Sequence, residues 1–382
     1  MARCPSSYAR SREATVTEPT ADAPSRIECR VDDGFAGWLA GANGSLAVTT
    51  YQAGKVVLVG WDGRRVTVLA RDFPKPMGLA VDGPRLLLAT RHEVVLLADA
   101  PALAADFKPD EPGRYDALYL PRTRYCTGDL NVHDVAVGAD GPWVTATRFS
   151  CLARLSHAFS FVPAWRPPFV SDTVPEDRCH LNGLALVDGR PRYVTCLGTT
   201  DAAGAWRGKK ADGGVLVDVA DGSVRLRGLS MPHSPRWHNG ALWLLDSGRG
   251  ALLRADPERG TREAVCGLSG YLRGLSLVGP YALVGLCQIR EKHIFGGLPV
   301  QQTHPALLCG VAVVDTRTGA RVGLLEFTAG CTEVFEVAWL PGVRRPMLLN
   351  PAHPAQTDAF TAPAFSYWLR PANALPEPPA VP

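Results

Sequence analysis

Residues 130–155, LNVHDVAVGADGPWVTATRFSCLARL, and residues 179–200, CHLNGLALVDGRPRYVTCLGTT, share one plan. In each, a polar start leads into an alternating apolar run, an Asp-Gly turn follows, and a second β-rich run ends in polar residues. Alternation with period two is typical of a half-buried strand. Asp-Gly supplies the positive φ angles that a tight hairpin turn requires. Each stretch is therefore predicted to form the inner hairpin of a β-sheet blade.

The same plan repeats along the chain, with hairpins centred near Gly37, Gly78, Asp134, Gly183, Pro235, Gly274 and Val337. Most of them continue into a third and a fourth short strand. Short antiparallel strands that recur with a period of roughly 40–45 residues are typical of a β-propeller. We therefore predict an all-β protein with one propeller domain over residues 27–370. Seven hairpins favour seven blades, and six is the alternative.

The remaining segments are predicted to be tails. Residues 1–26 are rich in Ser, Thr, Pro and Ala and have no apolar core of the kind found in a secretory signal, and residues 371–382 are rich in proline. Both compositions are typical of disorder. The last predicted hairpin, near Val337, lacks obvious third and fourth strands. Either residues 26–31 or residues 364–370 are expected to complete its blade.

Composition argues against several classes of function. The chain has 382 residues, a net charge of +3, 46% hydrophobic residues and 20% charged residues, which gives no general case for nucleic-acid binding. No apolar stretch is long enough to span a membrane. The ten cysteines form no CxxC pair, which favours free thiols in a reducing cytoplasm. Cys151 and Cys179 are expected near the channel mouth, where a core role is favoured over a reactive one.

The long loops are expected to lie on one face of the ring. Strands alternate direction in a blade, so the loops that join second to third strands share a face with the crossovers between blades. The long segments 197–214 and 287–309 are predicted to be loops of this kind, and 99–131 and 163–180 are predicted to be crossovers. Long irregular loops on a rigid scaffold usually carry function. We therefore expect a functional upper face.

The starts of the inner strands are predicted to line the channel mouth on that face. Polar residues at these positions include His133, Asn182, Arg273 and Glu336, with His180 and His233 just above them. The ends of the second strands are expected to reach the same mouth and to add ligand-binding residues, namely Arg148, Thr199, Asp201, Asp246 and Arg290.

Three uses of these residues remain open. His133, Asn182 and Glu336 could bind a divalent metal ion, because imidazole and oxygen ligands suit such ions. Alternatively, His133, His180 and His233 could perform metal-free acid–base chemistry while Arg273 holds an anion. The third possibility is a hydrogen-bonded polar plug that closes the channel.

Several longer motifs, among them YCTGDLNVHDVAV, PEDRCHLNGLAL and MPHSPRWHNGALWLLDSG, resemble a bacterial family of conserved hypothetical proteins, domain of unknown function 4915. The likeness spans about residues 34–350 and implies a propeller-like fold without an established activity. A looser similarity, through Asn182–Ala185 and residues 242–256, links the chain to gluconolactonase-like and strictosidine-synthase-like propellers. Lactonases of that group bind a divalent cation through glutamate and asparagine or aspartate, roles that Glu336 and Asn182 would fit.

The sequence thus predicts a cytoplasmic propeller that binds a small polar or anionic ligand at its axial mouth, without nucleic-acid or membrane partners. It is interpreted as a metal-assisted hydrolase or a tailoring enzyme of specialised metabolism. The alternative is a non-catalytic scaffold that holds a protein partner with its long loops.

Overall fold

A computed structural model describes residues 26–289 and 296–369 of the chain. The predicted tails 1–26 and 371–382 therefore lie outside the described residues, except for Arg26. In the first half of the described chain the strands are β1 (Glu28–Val31), β2 (Gly44–Thr49), β3 (Lys55–Trp61), β4 (Val66–Asp72), β5 (Leu79–Asp82), β6 (Arg85–Ala89), β7 (Glu93–Asp99), β8 (Ala117–Cys126), β9 (Val132–Gly138), β10 (Gly141–Ala146), β11 (Cys151–Arg154), β12 (Val162–Trp165), β13 (Leu181–Val187) and β14 (Arg190–Cys196).

The second half continues with β15 (Gly214–Asp218), β16 (Val224–Leu229), β17 (Pro232–His238), β18 (Ala241–Asp246), β19 (Ala251–Asp256), β20 (Thr261–Gly267), β21 (Tyr271–Val278), β22 (Tyr281–Cys287), β23 (Gly310–Asp315), β24 (Arg321–Ala329), β25 (Glu336–Pro341), β26 (Pro346–Leu348), β27 (Ala359–Ala362) and β28 (Phe365–Trp368). The helices are short: α1 (Asp33–Gly41), α2 (Pro101–Ala104) and α3 (Pro299–Thr303). Single 3₁₀ turns occupy Tyr51–Ala53, Thr147–Phe149, Ala205–Lys209, Ser247–Arg249 and Pro354–Asp358. No helix in the described ranges has the length and apolar character needed to cross a membrane.

The hairpins form where the sequence predicts them because their turns carry the right residues. Asp188 and Gly189 have φ angles of 50° and 72°, and Asn239 and Gly240 have φ angles of 49° and 74°. Two consecutive positive φ angles match the twist of the flanking strands, and Asp, Asn and Gly tolerate them best. These turns fix the register, so that β13 pairs with β14 and β17 pairs with β18 in antiparallel fashion.

The described residues form a propeller of six blades, each built on four antiparallel strands. From the axis outward, the blades are β25-β2-β3-β4, β5-β6-β7-β8, β9-β10-β11-β12, β13-β14-β15-β16, β17-β18-β19-β20 and β21-β22-β23-β24, numbered here as blades 1 to 6. The six inner strands contact one another in a closed ring, from β25 through β5, β9, β13, β17 and β21 back to β25. Apolar side chains from facing sheets fill the spaces between blades, as Leu58, Leu86 and Leu88 do between blades 1 and 2.

The favoured count of seven blades was therefore wrong, and the alternative of six is what the structure shows. The predicted first hairpin is no hairpin, because its first half forms helix α1. Asp32 caps that helix by accepting a hydrogen bond from the backbone N of Phe35 at 2.8 Å. The second half of the predicted first hairpin forms β2, which pairs with β25 from the predicted seventh hairpin. One strand from the predicted first hairpin, β2, and one from the predicted last hairpin, β25, thus belong to the same blade, and their pairing closes the ring.

Residues 26–31 and 364–370, the segments expected to complete the last blade, pair with other strands. From the first of these segments, residues 26–31, strand β1 adds to the outer edge of blade 6 through β24. The second half of the last predicted hairpin, β26, adds in parallel to the outer edge of blade 2 through β8. Strands β27 and β28 pair with each other. Neither end of the propeller domain therefore supplies strands to blade 1, which β25 alone completes.

Three of the four long segments start and end on the upper face as expected, although residues 290–295 of one of them lie outside the described residues. Segments 197–214 and 287–309 join second to third strands in blades 4 and 6, and residues 166–180 connect blade 3 to blade 4. The expectation for segment 99–131 was wrong, because this segment contains β8. Its long part, residues 100–116, joins the third and fourth strands of blade 2 and therefore lies on the opposite, lower face.

Candidate functional site

A cavity of about 160 Å³ opens at the upper end of the propeller axis. His133, His180, His233 and Arg273, the four residues predicted to act in catalysis, all line it. Ring closure brings them together, because His133, His233 and Arg273 lie near the starts of three different inner strands and His180 directly precedes a fourth. The other polar and aromatic residues of the lining are Tyr51, Gln52, Asn131, Asp177, Trp206, Arg207, Tyr271 and Glu333.

Two of the histidines are each oriented by a backbone carbonyl two residues earlier in the chain. Nδ1 of His133 lies 2.9 Å from the carbonyl oxygen of Asn131, and Nδ1 of His233 lies 2.8 Å from that of Met231. Asn131 and Met231 each precede their histidine by two residues and have φ angles of 55° and 48°. A carbonyl can only accept, so Nδ1 carries the hydrogen in both rings. Nε2 is therefore the nitrogen that each ring offers to a ligand.

The third histidine is held by a carboxylate. Nδ1 of His180 lies 2.9 Å from Oδ1 and 3.0 Å from Oδ2 of Asp177. Trp206 donates to the same carboxylate from Nε1 at 3.1 Å, and its ring centroid lies 4.5 Å from that of His180. Arg207 stacks on Trp206 and approaches Asp177 to 3.7 Å. The imidazole is thereby fixed in position and orientation, with Nε2 directed away from Asp177.

Burial and mutual repulsion keep two of the histidines neutral. Burial lowers the pKa of His133 well below 6.5, and the neighbouring His180 and Arg273 lower it further. Burial and then Arg273 likewise lower the pKa of His233. The rings of His133 and His180 meet edge to face with centroids 4.7 Å apart, so a charge on one opposes a charge on the other.

Arg273 is a buried cation without a counter-ion among the described residues. Its exposed fraction is 8%, and its Nε has no hydrogen-bond partner there. The guanidinium stacks on the ring of Phe335 at 4.3 Å from the centroid. Glu333 also lines the cavity. A cation–π contact stabilises a buried charge only in part, so the arginine retains donors for an incoming anion.

A charged cluster closes the channel beneath the cavity. Arg236 on β17 donates from Nη1 to Asp134 Oδ2 and from Nη2 to Glu336 Oε2, both at 2.8 Å. The carboxylates also accept backbone N–H groups of neighbouring blades, with Leu184 donating to Asp134 at 3.0 Å and Leu275 donating to Glu336 at 3.1 Å. These three charged side chains form a plug on the axis, and none of them lines the upper cavity.

The structure does not bring the suggested metal ligands together. Glu336 belongs to the plug and lines a second cavity at the lower end of the axis. The side chain of Asn182 donates to the carbonyl of Pro232 at 3.0 Å and accepts from Thr195 at 2.6 Å. His133 alone of the three lines the upper cavity. Within residues 26–289 and 296–369, no group of three or more His, Cys, Asp or Glu side chains is arranged to hold a metal ion.

None of the residues expected at the ends of the second strands lines the upper cavity where the structure describes them. Arg148 pairs with Asp129 at 2.7 Å, and Asp246 pairs with Arg249 at 2.8 Å. Asp201 accepts from the backbone N of Ser171 and from Arg178, each at 2.9 Å, which lowers its pKa to about 2. Thr199 is exposed in the loop that follows β14. Arg290 lies outside the described residues.

Sequence reasoning missed the residues that orient the histidines. Asn131 and Met231 give no signal by residue type, since they act through their backbone carbonyls. Their shared position two residues before a histidine could have been found by aligning the blades. Asp177 was also missed, although its place three residues before His180 is compatible with a carboxylate–histidine pair. The structure also places Trp206 and Arg207, from the predicted loop 197–214, in the lining.

The molecule is thus a six-bladed β-propeller with a histidine- and arginine-lined axial cavity. Residues 33–349 match the model of a protein family described as "Domain of unknown function (DUF4915)", and the chain belongs to that family. The resemblance seen in the sequence motifs is confirmed. The family description names no activity, so any function has to be argued from the cavity.

Comparison with individual proteins gives similar folds only. No curated protein matches the chain. One similar solved chain belongs to the "Crystal structure of Nidogen/Laminin Complex", with 10% identity, a TM-score of 0.48 and coverage of 78% of this chain and 98% of that one. Another is a protein of unknown function from Bacteroides caccae, with 8% identity, a TM-score of 0.48 and coverage of 78% and 99%.

Proposed function

We propose that the upper axial cavity binds a small anion through Arg273. The observation that carries this proposal is a guanidinium that is only 8% exposed and has no carboxylate partner among the described residues. Leaving such a charge uncompensated costs several kcal/mol. The planar fork of arginine matches the geometry of a carboxylate or a phosphate. An anion of this kind would satisfy the buried cation.

The protein acts on this anion as an enzyme, with His180 as the general base. A histidine whose Nδ1 is held by a carboxylate presents Nε2 in a fixed position and can accept a proton there. Asp177, at 2.9 Å, would stabilise the imidazolium that forms. Hydrolysis and proton-transfer steps of tailoring reactions can both use such a base. Of the uses left open by the sequence, the proposal therefore takes the metal-free acid–base chemistry rather than the metal-assisted hydrolase.

The position of the loop 197–214 supports this proposal over the scaffold alternative. Trp206 and Arg207 belong to that loop and turn toward the axis, where they line the cavity and hold Asp177. Trp206 is almost completely buried. A loop kept for capture of a protein partner would present such side chains outward, whereas this loop uses them to build the pocket.

Thermal shift and calorimetry with simple anions test the binding step. Acetate, propionate and phosphate are expected to raise the Tm of the wild-type protein and to leave that of Arg273→Met unchanged. Arg254→Met, which removes an exposed arginine, serves as the control and should behave like the wild type. Binding that survives in Arg273→Met would overturn the assignment of Arg273.

The catalytic step is tested once a ligand has been found. Conversion of that ligand is followed by mass spectrometry in the wild type, in Asp177→Asn and in Asp221→Asn, an exposed aspartate. We expect Asp177→Asn to slow conversion by about 10²-fold or more while the Kd stays within a factor of about three. A bound ligand that the wild-type protein never converts would mean that the protein binds without catalysis.

A further inference from the structure

The hydrogen-bonding capacity of the cavity restricts its ligand further. Nδ1 of His133 and Nδ1 of His233 donate to backbone carbonyls at 2.9 Å and 2.8 Å. In the neutral ring the other nitrogen, Nε2, carries a lone pair and can only accept. Burial in the cavity wall and the nearby Arg273 lower the pKa values of both rings and so favour this neutral form. The cavity therefore contains acceptors that require a donor.

His233 shows that one such acceptor is unsatisfied. Its side chain is 5% exposed, and its Nε2 has no hydrogen-bond partner in the part of the chain that the structure describes. Nδ1 of the same ring lies 3.0 Å from Ser247 Oγ as well as 2.8 Å from the carbonyl of Met231. These contacts fix the ring through Nδ1 and leave Nε2 without a partner among the described residues. A buried polar atom without a partner is rare in folded proteins and calls for an explanation. Both His233 and Arg273 line the same cavity.

The proposed ligand must therefore offer two kinds of group at once. It needs an anionic group for the guanidinium of Arg273 and a donor for the imidazole Nε2 atoms. A plain carboxylate supplies the first and lacks the second. A hydroxyl group supplies the donor without adding charge. An ammonium group would add a positive charge near Arg273 and Arg207, but Asp177 and Glu333 also line the cavity, so the test includes an ammonium compound. A cavity of about 160 Å³ admits only a small molecule.

We propose that the ligand is a small hydroxy acid whose acid group binds Arg273 and whose hydroxyl donates to Nε2 of His233 or His133. This inference rests on the proposed function, since it names the substrate class of the same site. A site built to hydrogen-bond a hydroxyl discriminates strongly against an analogue that lacks it. The hydroxyl, rather than the acid group, is then the main source of selectivity.

Three acids of nearly equal size separate the two proposals. Propionate has the acid group alone, lactate adds a hydroxyl and alanine adds an ammonium group at the same carbon. Isothermal titration calorimetry on the wild-type protein is expected to give lactate a Kd at least about 10-fold below that of propionate, and alanine no advantage over propionate. Glycolate and acetate form a second, smaller pair with the same expected order.

The variants locate each contribution. His233→Phe and His133→Phe each keep a ring of similar shape without Nε2, and the variant that loses the hydroxyl contact should reduce the lactate preference to within about threefold. A lactate preference that is retained in both variants would overturn the inference. Arg273→Met should remove the binding of both acids. A measurement on the wild-type protein tests the same contact even if one of these variants misfolds. In ¹⁵N-histidine-labelled wild-type protein, the Nε2 signal of His233 or of His133 should show an unprotonated nitrogen and should shift on addition of lactate but not of propionate.

The possible results are distinguishable. Equal binding of lactate and propionate, lost in Arg273→Met, would overturn the hydroxy-acid inference and leave the anion site standing. A preference for alanine would replace the hydroxyl by an amino group and overturn the inference in its stated form. Acids that bind equally well to Arg273→Met, or that do not bind at all, would overturn the proposed function and the inference together. An Nε2 resonance typical of a protonated nitrogen on both histidines would refute the acceptor assignment directly.

Discussion

The guanidinium of Arg236 reaches Glu336 across the propeller axis, with Nη2 2.8 Å from Oε2. Arg236 lies in blade 5 and Glu336 in blade 1, which are not neighbours in the ring. The same guanidinium also bonds Asp134 of blade 3 at 2.8 Å. One arginine thus ties three separate blades together at the centre of the molecule, where both carboxylates are buried.

Arg236→Met is expected to lower the free energy of unfolding at pH 8 by about 3–5 kcal/mol, because two buried carboxylates lose their cation. Urea denaturation monitored by tryptophan fluorescence measures this loss. Burial already raises the pKa of Glu336 to about 7 against the effect of Arg236, and removal of the arginine raises it further. The variant should therefore regain part of its stability as the pH falls and the carboxyl group takes up a proton.

The matched control for that substitution is Arg254→Met. Arg254 approaches Glu263 to 3.6 Å, but the two side chains are 55% and 67% exposed. Exposed pairs of this kind contribute less than about 1 kcal/mol. A loss in Arg236→Met that is no larger than the loss in Arg254→Met would show that the axial cluster does not stabilise the ring.

The histidines of the upper cavity make the fold sensitive to acid. His233 has a lowered pKa in the folded state, whereas an unfolded histidine titrates near 6.5. Below that pH the unfolded chain binds the proton more readily, so stability present above pH 6.5 is lost as the pH falls. Each such histidine contributes a slope of at most about 1.4 kcal/mol per pH unit.

The contribution of His233 is measured as the difference in Tm between the wild type and His233→Gln from pH 8 to pH 5. Glu336, whose raised pKa acts in the opposite direction, is common to both proteins and cancels in the difference. The wild type should lose more stability than the variant below pH 6.5. Parallel curves would mean that His233 is not held neutral in the folded protein.

Thr49 is expected to be important for ring closure. Its Oγ1 accepts from the backbone N of Glu336 at 2.9 Å and donates to the carbonyl of Met77 at 2.7 Å, linking β25 to the start of blade 2. Thr49→Val leaves both buried backbone groups without this partner and should cost about 1–3 kcal/mol in urea denaturation. Thr361→Val, at an exposed threonine that bonds Arg122, should change stability by less than about 0.5 kcal/mol.

Thiol reactivity should follow burial. Burial raises the pKa of Cys151 to about 12, and Cys179 and Cys196 are also buried, whereas Cys126 is exposed. Brief treatment with iodoacetamide at pH 8, followed by peptide mass spectrometry, is expected to modify Cys126 and to spare Cys151 until urea is added. Rapid labelling of Cys151 in the native protein would contradict the core role that its sequence position favours.

The propeller class could be predicted from sequence because each blade carries its own evidence. Alternating apolar residues and turns such as Asn239-Gly240 are local features, and they fix local pairing. The blade number depends on one pairing between β2 and β25, which lie far apart in the chain. The short apolar stretch at Phe35–Leu39 also fits helix and strand alike, and only tertiary packing decides between them.

The part of the site that depends only on ring topology could be predicted from the sequence. Inner-strand starts converge at one mouth in any propeller, so His133, His233 and Arg273 meet whether there are six blades or seven. The three suggested metal ligands, His133, Asn182 and Glu336, do not come together because their side chains lie at different depths along the axis. Glu336 reaches the plug through its bond to Arg236, a partner that only the folded structure reveals.

The pairing of β25 with β2 also has a consequence for synthesis on the ribosome. Strands β2, β3 and β4 are translated early, yet the innermost strand of their blade is made after all the other blades. Until then the nascent chain carries an open ring with the unpaired edge of Gly44–Thr49, the kind of edge that recruits foreign strands. Closure of the ring during synthesis therefore waits for the capture of Glu336–Pro341, which also brings the Glu336 carboxylate to Arg236.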